Sequence, residues 1–361
     1  MLRRSFLTKT AVGAAAGTLA IPAVAQAQPA LSWRLASSFP KTLDTIFGAA
    51  DVFTKRVASL TGGKFQIRAF GGGEIVPGLQ VLDAVQAGTV EMGHTASYYY
   101  YGKDPTFSFD TAMPFGLTSR QQTAWFEAGG GRELMREFFR GYGVVNFLGG
   151  NTGTQMGGWY RKPVKTLDDI KGMKIRIAGM AGRVMERMGA VPQQIAGADV
   201  YPALEKGTID AAEWVGPYDD EKLGLAKVAP YYYTPGWWEA GPQLSFFVGI
   251  KEWEKLPKLY QAAVEAASYE AHVVMQAQYD ARNPAALARL LKAGAKLNNF
   301  PKPIMDAAYK FSTQVMEEEA AKNAKFKKIY DPWKRFRQDQ NTWASVSEAQ
   351  MQNYLISIGR K

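Results

Sequence analysis

Two carboxylates, Glu213 and Glu239, are the most telling groups in the chain, because two such charges beside an anionic ligand would repel it unless a cation lay between them. With the Gln155 amide and a backbone carbonyl such as that of Trp214 they make an oxygen-only donor set, which suits a hard cation of the sodium or calcium type. Arg176 stands at the end of a predicted strand. Its guanidinium fork can give a carboxylate two parallel hydrogen bonds, although the same residue would serve as half of a surface ion pair. Tyr98 to Tyr101, Tyr231 to Tyr233 and Trp237-Trp238 read as cleft walls or as core, and tyrosine hydroxyls in a pocket can orient an acid. His94 follows a strand and reads as a structural histidine, since no cysteine and no second histidine stands near it.

Much chemistry is excluded. The 361 residues contain no cysteine and only two histidines, which rules out thiolate metal sites, disulfides and cysteine nucleophiles. Gly71-Gly72-Gly73 lacks the spacing of a dinucleotide fingerprint or a phosphate loop. The formal charge of +10 falls to +7 once Arg3, Arg4 and Lys9 are set aside with a leader. No Lys/Arg run is long enough to track a phosphate backbone, so nucleic acid is not an expected partner.

The elements that must position these groups can be read along the chain. Residues 1–27 carry a basic start with Arg3-Arg4, an apolar small-residue run and an Ala-x-Ala end, the pattern of a twin-arginine signal peptide. This predicts a soluble, exported protein of the periplasm. Residues 28–150 then read as a first α/β lobe: strand Leu31 to Ser37, a helix through Ile46, Ala50, Phe53, Val57 and Leu60, and strand Phe65 to Phe70. Strands alternating with helices imply a parallel sheet. Residues 151–250 read as a second α/β lobe with crossing segments. The ground for two lobes is an internal echo. Asp83 to Glu91 is answered by Pro202 to Asp210, in each case a helix ending on Gly-Thr before a strand. Ligands in open α/β sheets sit beyond the carboxyl ends of the strands, so strands Thr89 to Met92 and Thr208 to Ala212 should point His94, Tyr98-Tyr99 and Glu213-Trp214 into one cleft. A crossing strand from Val144 and the approach Gly149 to Gln155 would bring Asn151 and Gln155 there too. Residues 251–361 turn helical: one helix with the stripe Tyr260, Val264, Ala267, Ala271 and Met275, leaving at Pro284, a second from about Pro303 to Ala324, and a third from about Val346. Periodicity alone leaves that region open as a spine or a dimer arm.

Across Trp33 to Pro40, Val76-Pro77-Gly78, Tyr98 to Phe107, Gly149 to Trp159, Pro192 to Gly197 and Glu205 to Glu221 the chain resembles the substrate-binding receptors of tripartite ATP-independent periplasmic (TRAP) transporters, DctP type. Glu213 to Asp220 and Pro235 to Glu239 are most similar to the 2-oxo acid receptors such as TakP. The resemblance implies a two-lobed periplasmic binding protein fold, α/β in class, with the ligand between the lobes and long C-terminal helices. It implies a receptor, not an enzyme, that delivers a small 2-oxo monocarboxylate such as pyruvate to membrane subunits. By it, Arg176 would pair with the substrate carboxylate, Tyr98, Tyr99 and Gln155 would hydrogen-bond the acid, and Asn151 would lie close by. Glu213, the Trp214 carbonyl, Glu239 and Gln155 would hold a sodium ion, with calcium as the other candidate. A homodimer formed by exchange of a C-terminal helix is also implied. Three alternatives stand beside it: a receptor for lactate or another 2-hydroxy acid, whose hydroxyl can replace the keto oxygen at the cation, an exported metal-dependent enzyme, and a cofactor enzyme exported folded by the twin-arginine route.

Overall fold

A computed structural model describes residues 28–359, so the expected leader lies outside the described residues. The first stretch runs β1 (Leu31–Ser37), α1 (Gly48–Leu60), β2 (Phe65–Phe70), α2 (Val81–Gln86), β3 (Met92–Thr95), α3 (Ser108–Thr111), α4 (Ser119–Ala128), α5 (Gly131–Arg140) and β4 (Val144–Asn151). The second runs β5 (Trp159–Tyr160), β6 (Lys174–Arg176), α6 (Gly179–Arg187), β7 (Val191–Gln193), α7 (Gly197–Glu205), β8 (Ala211–Ala212), α8 (Pro217–Leu223), β9 (Tyr231–Thr234) and β10 (Gln243–Gly249). The chain ends with α9 (Ile250–Lys255), α10 (Lys258–Lys292), β11 (Lys296–Asn299), α11 (Lys302–Lys322), α12 (Ala324–Val346) and α13 (Glu348–Gly359). Among the described residues no helix is long and apolar enough to cross a membrane.

Two sheets form, ordered β2-β1-β3-β10-β4 and β11-β9-β5-β8-β6-β7. Neither is wholly parallel. β1 pairs in parallel with β2 and β3, but β10 returns from the second half of the chain and inserts antiparallel between β3 and β4. In the second sheet β5 is antiparallel to β8 and β9. The expectation of parallel sheets fails because strands that cross between lobes arrive from the opposite end, where no helix is needed to reverse the chain.

The echo is reproduced to the hydrogen bond. Thr89 N–H donates to the Ala84 carbonyl and Thr208 N–H to the Ala203 carbonyl, both at 2.9 Å. Gly88 and Gly207 close the two turns at φ of 71° and 72°, a conformation open to glycine at little cost. The strands after them begin three residues later than expected, at Met92 and Ala211.

Helix α10 is 35 residues long and does not leave at Pro284. Loss of one N–H bond there is offset by packing on both sides, since Tyr279, Ala286 and Leu290 are buried. Its stripe of Tyr260, Val264, Ala267, Ala271 and Met275 is fully buried against α1 and β4, while its later turns meet α8. Each large apolar side chain buried in this way contributes about 1.5–3 kcal/mol. α12 was not anticipated from the sequence. Its Lys- and Arg-rich surface hides the short buried stripe Phe326, Ile329, Tyr330 and Trp333, and Pro332 interrupts the pattern.

Candidate functional site

Two crossing segments lie side by side between the sheets, joined by backbone hydrogen bonds: Thr152 N–H to Pro242 O at 3.2 Å, Gln155 N–H to Glu239 O at 3.1 Å, and Gly157 N–H to Tyr233 O at 2.7 Å. Gly236 permits this approach, because a Cβ there would stand 2.6 Å from the carbonyl oxygens of Gln155 and Met156. The pairing sets Gln155 and Glu239 next to each other at the wall of a cavity of about 10 Å³, room for about one water molecule.

The first lobe contributes Phe39, Ile46, Ala96, Tyr98 and Tyr99; the second contributes Arg176, Trp214 and Val215; the crossing segments add Thr152, Gln155, Glu239, Pro242 and Leu244. Tyr98 and Tyr99 stack at 5.2 Å between centroids. Their backbone is held from both lobes: Thr111 Oγ1 accepts from Tyr98 N–H at 3.3 Å, and Gln194 Nε2 donates across the cleft to the Tyr99 carbonyl at 2.8 Å. Burial raises the Tyr99 hydroxyl to about 12 and holds Tyr98 well above its ordinary value, so both keep their protons and remain able to donate.

Arg176 sits at the end of β6, 1 % exposed. Its Nε donates to the Ile195 carbonyl at 3.1 Å and its Nη1 to the Glu213 carbonyl at 2.8 Å, and the same nitrogen meets the Glu213 carboxylate. The guanidinium lies 5.0 Å over the Trp214 ring. Burial works against its charge, yet Glu213 and the neighbouring tyrosines hold its pKa above the ordinary value.

Four buried oxygens here have no hydrogen-bond partner: Gln155 Oε1, Glu213 Oε2 and both carboxylate oxygens of Glu239. Gln155 is oriented by its other end. Thr152 Oγ1 donates to the Gly153 carbonyl at 3.0 Å and so accepts from Gln155 Nε2 at 3.2 Å, which leaves the amide oxygen free. Burial pushes Glu213 up to about 7 against the pull of Arg176. Glu239 is raised well above the carboxylate range, by burial first and by Glu213 second. Unpartnered buried oxygens are costly, and four together, three of them carboxylate oxygens, fit a bound cation. Among the described residues no three His, Asp or Glu side chains gather into a metal site. Any cation here would therefore draw on the amide and on backbone carbonyl oxygen as well as the two glutamates.

Asn151 does not line the cavity. Its Nδ2 donates to the Gly241 carbonyl at 3.0 Å and its Oδ1 accepts from Gly153 N–H at 2.8 Å, so it shapes the bend that presents Thr152 and Gln155. His94 is structural: Nε2 lies 2.9 Å from the Gly149 carbonyl and Nδ1 3.3 Å from Ser37 Oγ. Thr152, Phe39, Ile46 and Leu244 were missed from the sequence. Thr152 alone carried a signal, lying three residues before Gln155 in a tight glycine-bounded bend.

Comparison with known proteins agrees with this geometry. Residues 36–323 match the family model for bacterial extracellular solute-binding protein, family 7 (DctP). The chain is 48% identical to the monocarboxylate 2-oxoacid-binding periplasmic protein of Nostoc sp., over 99% of this chain and all of that one. It is 53% identical to a TRAP transporter solute-binding protein from Bordetella bronchiseptica, with TM-score 0.91, covering 92% of this chain and 99% of that one; that protein is a mixed-occupancy dimer with copurified calcium and picolinate in one site. A TRAP periplasmic solute-binding protein from Pseudoalteromonas atlantica, 39% identical with TM-score 0.86 over 90% of this chain and 98% of its own, holds sodium and pyruvate. Sequence, fold and cleft together place this chain in the bacterial extracellular solute-binding protein family 7, the DctP-type receptors of TRAP transporters.

Proposed function

We propose that the protein captures a small 2-oxo monocarboxylate of the pyruvate class together with a cation, sodium or calcium, and presents it to the membrane subunits of a TRAP transporter. The observation that carries this reading is the set of four unpartnered oxygens on Gln155, Glu213 and Glu239 beside the Arg176 guanidinium. A cation held by those oxygens and by the Trp214 carbonyl offsets the two glutamates and accepts the carboxylate and keto oxygens of the ligand. Arg176 supplies the second charge to the carboxylate, and the Tyr98 and Tyr99 hydroxyls donate to it. One arginine and one cation suit one carboxylate. The aromatic walls exclude water, which strengthens these contacts. The 2-oxoacid named for the Nostoc relative and the pyruvate of the Pseudoalteromonas relative support the same class, and the picolinate of the Bordetella relative shares with it one carboxylate and an adjacent donor atom beside a cation. A 2-hydroxy acid such as lactate is the second reading, since its hydroxyl oxygen can take the keto position at the cation.

The leader at residues 1–27 supports export by the twin-arginine route to the periplasm. A homodimer is favoured by α13, which buries none of its residues and exposes Met351, Tyr354 and Leu355 by half or more.

The decisive test is thermal melting of cation-stripped mature protein with pyruvate, lactate, a longer 2-oxo acid and succinate, each with and without sodium or calcium. A ligand at 100 times its dissociation constant adds about 2.7 kcal/mol to stability. The expected result is a rise with 2-oxo monocarboxylates that requires the cation. No rise with any of these acids would overturn the assignment.

A further inference from the structure

We propose that Asp44 is an affinity-determining latch, outside the ligand cavity, that holds the two lobes closed. Asp44 lies on the first lobe in the loop ahead of α1, with its side chain half exposed. From the second lobe, α8 brings Lys222 into an ion pair with one carboxylate oxygen and the Tyr218 hydroxyl to the other at 3.2 Å. The spine helix α10 adds Arg282, 3.6 Å from the same carboxylate and hydrogen-bonded to Thr45 Oγ1 at 2.8 Å. The Tyr218 ring is flanked by both cations, with Lys222 Nζ at 4.8 Å and the Arg282 guanidinium carbon at 5.0 Å from its centroid. Asn283 fixes the Tyr218 N–H at 3.0 Å, so neighbouring residues of the spine grip opposite lobes.

None of these side chains lines the cavity. Their connection to it is mechanical. α8 begins two residues after Val215 and three after Trp214, both of which do line it. The movement that carries Trp214 onto the ligand therefore carries Tyr218 and Lys222 onto Asp44. A contact made only between closed lobes adds to the closed state and not to the open one, and so raises affinity without touching the ligand. An exposed ion pair alone changes such an equilibrium by about 1.5- to 5-fold, and two cations with a hydroxyl on one carboxylate belong at the upper end. The latch sets how long the ligand is held, while the cavity sets which ligand.

The proposal rests on the pyruvate reading only for its probe. Pyruvate dissociation from native, Asp44→Ala, Lys222→Met and the double variant would be followed by stopped flow at low and high salt. Asp44→Ala should speed dissociation about three- to fivefold with little change in association. Lys222→Met should do less, the double variant should equal Asp44→Ala, and salt should speed release from the native protein and, more weakly, from Lys222→Met, where Arg282 still faces Asp44, but not from the two Asp44 variants. A ligand-free arm exploits the absence of cysteine: spin labels at Lys55→Cys and Lys206→Cys, one on each lobe, report the closed fraction, which should fall in Asp44→Ala. Unchanged dissociation together with an unchanged closed fraction overturns the latch, as do losses that simply add in the double variant. If the native protein binds no 2-oxo acid, the ligand assignment fails while the label distances still decide the latch.

Discussion

Replacing Glu239 by glutamine should move stability and function in opposite directions. Glu239 is 1 % exposed, has no partner for either carboxylate oxygen and faces the second carboxylate, Glu213. Glu239→Gln keeps the shape and removes the charge. At pH 8 the ligand-free protein is then relieved of an uncompensated buried acid, partly offset by an amide that must find its own partners, for a gain of about 1–3 kcal/mol. For a chain of this size that corresponds to roughly 1.5–4 °C in melting temperature. The same change deletes a charged contact to the cation worth about 1.5–3 kcal/mol, so pyruvate affinity in sodium or calcium should fall about 10- to 150-fold. Melting of the stripped protein gives the first number, and calorimetric titration of pyruvate with and without each cation gives the second. A variant that melts below the native protein and still needs the cation for pyruvate would refute the assignment of Glu239 as a cation ligand.

Arg176→Lys keeps the charge but loses the fork that spans the Ile195 carbonyl, Glu213 and the ligand; pyruvate affinity should drop about 10- to 100-fold by titration, and unchanged affinity would remove Arg176 from the carboxylate site. Gly150→Ala forces a side chain at φ 130° into Met275 and should cost about 1–3 kcal/mol in urea unfolding, partly recovered by trimming Met275 to Ala. Gly179→Ala, at φ 63°, places a Cβ 2.5 Å from the Tyr98 ring and should weaken pyruvate binding more than it lowers melting temperature. Asp110 is raised to about 6 by burial, against the pull of Ser245, Ser97 and Asn146. Because its folded pKa exceeds its unfolded one, its contribution is complete below about pH 4 and is lost as pH rises to about 6, at up to about 1.4 kcal/mol per pH unit. Asp110→Asn should remove that slope from urea melts between those limits, and an unchanged slope would assign it to other groups.

The parts of the site legible in the sequence were those with a local signature. Arg176 at a strand end, Glu213 after a strand and the glycine-bounded bend holding Gln155 needed only residue type and strand direction, whereas Glu239 was placed by the family resemblance of Pro235 to Glu239. The echo worked because a glycine cap and the strand after it are set by neighbouring residues. What escaped was set by distant partners. Gln243 to Gly249 has the composition of any buried strand, and nothing local says that it joins the first sheet in reverse. Asn151 looked like a ligand group because it shares a bend with Gln155, yet both of its polar ends are taken by backbone. The bond from Arg176 to Glu213 could not be read either, since each residue points outward only when the other is ignored. Proline misled at Pro284, which lies inside a helix whose packing outweighs the lost bond, and Pro332 lies inside α12 in the same way.

The position of β10 governs how the chain can reach this state. β3 and β4 do not pair with each other; each pairs with β10, which is synthesised about 150 residues after the one and about 100 after the other, a separation that makes folding slow. The second sheet likewise waits for β11 at Lys296–Asn299. Neither lobe is an independent folding unit, and a nascent chain that stops short of residue 243 holds unpaired strand edges with no native partner. Folding is then an event of the nearly finished polypeptide, a constraint that the proposed twin-arginine export of folded cargo would meet.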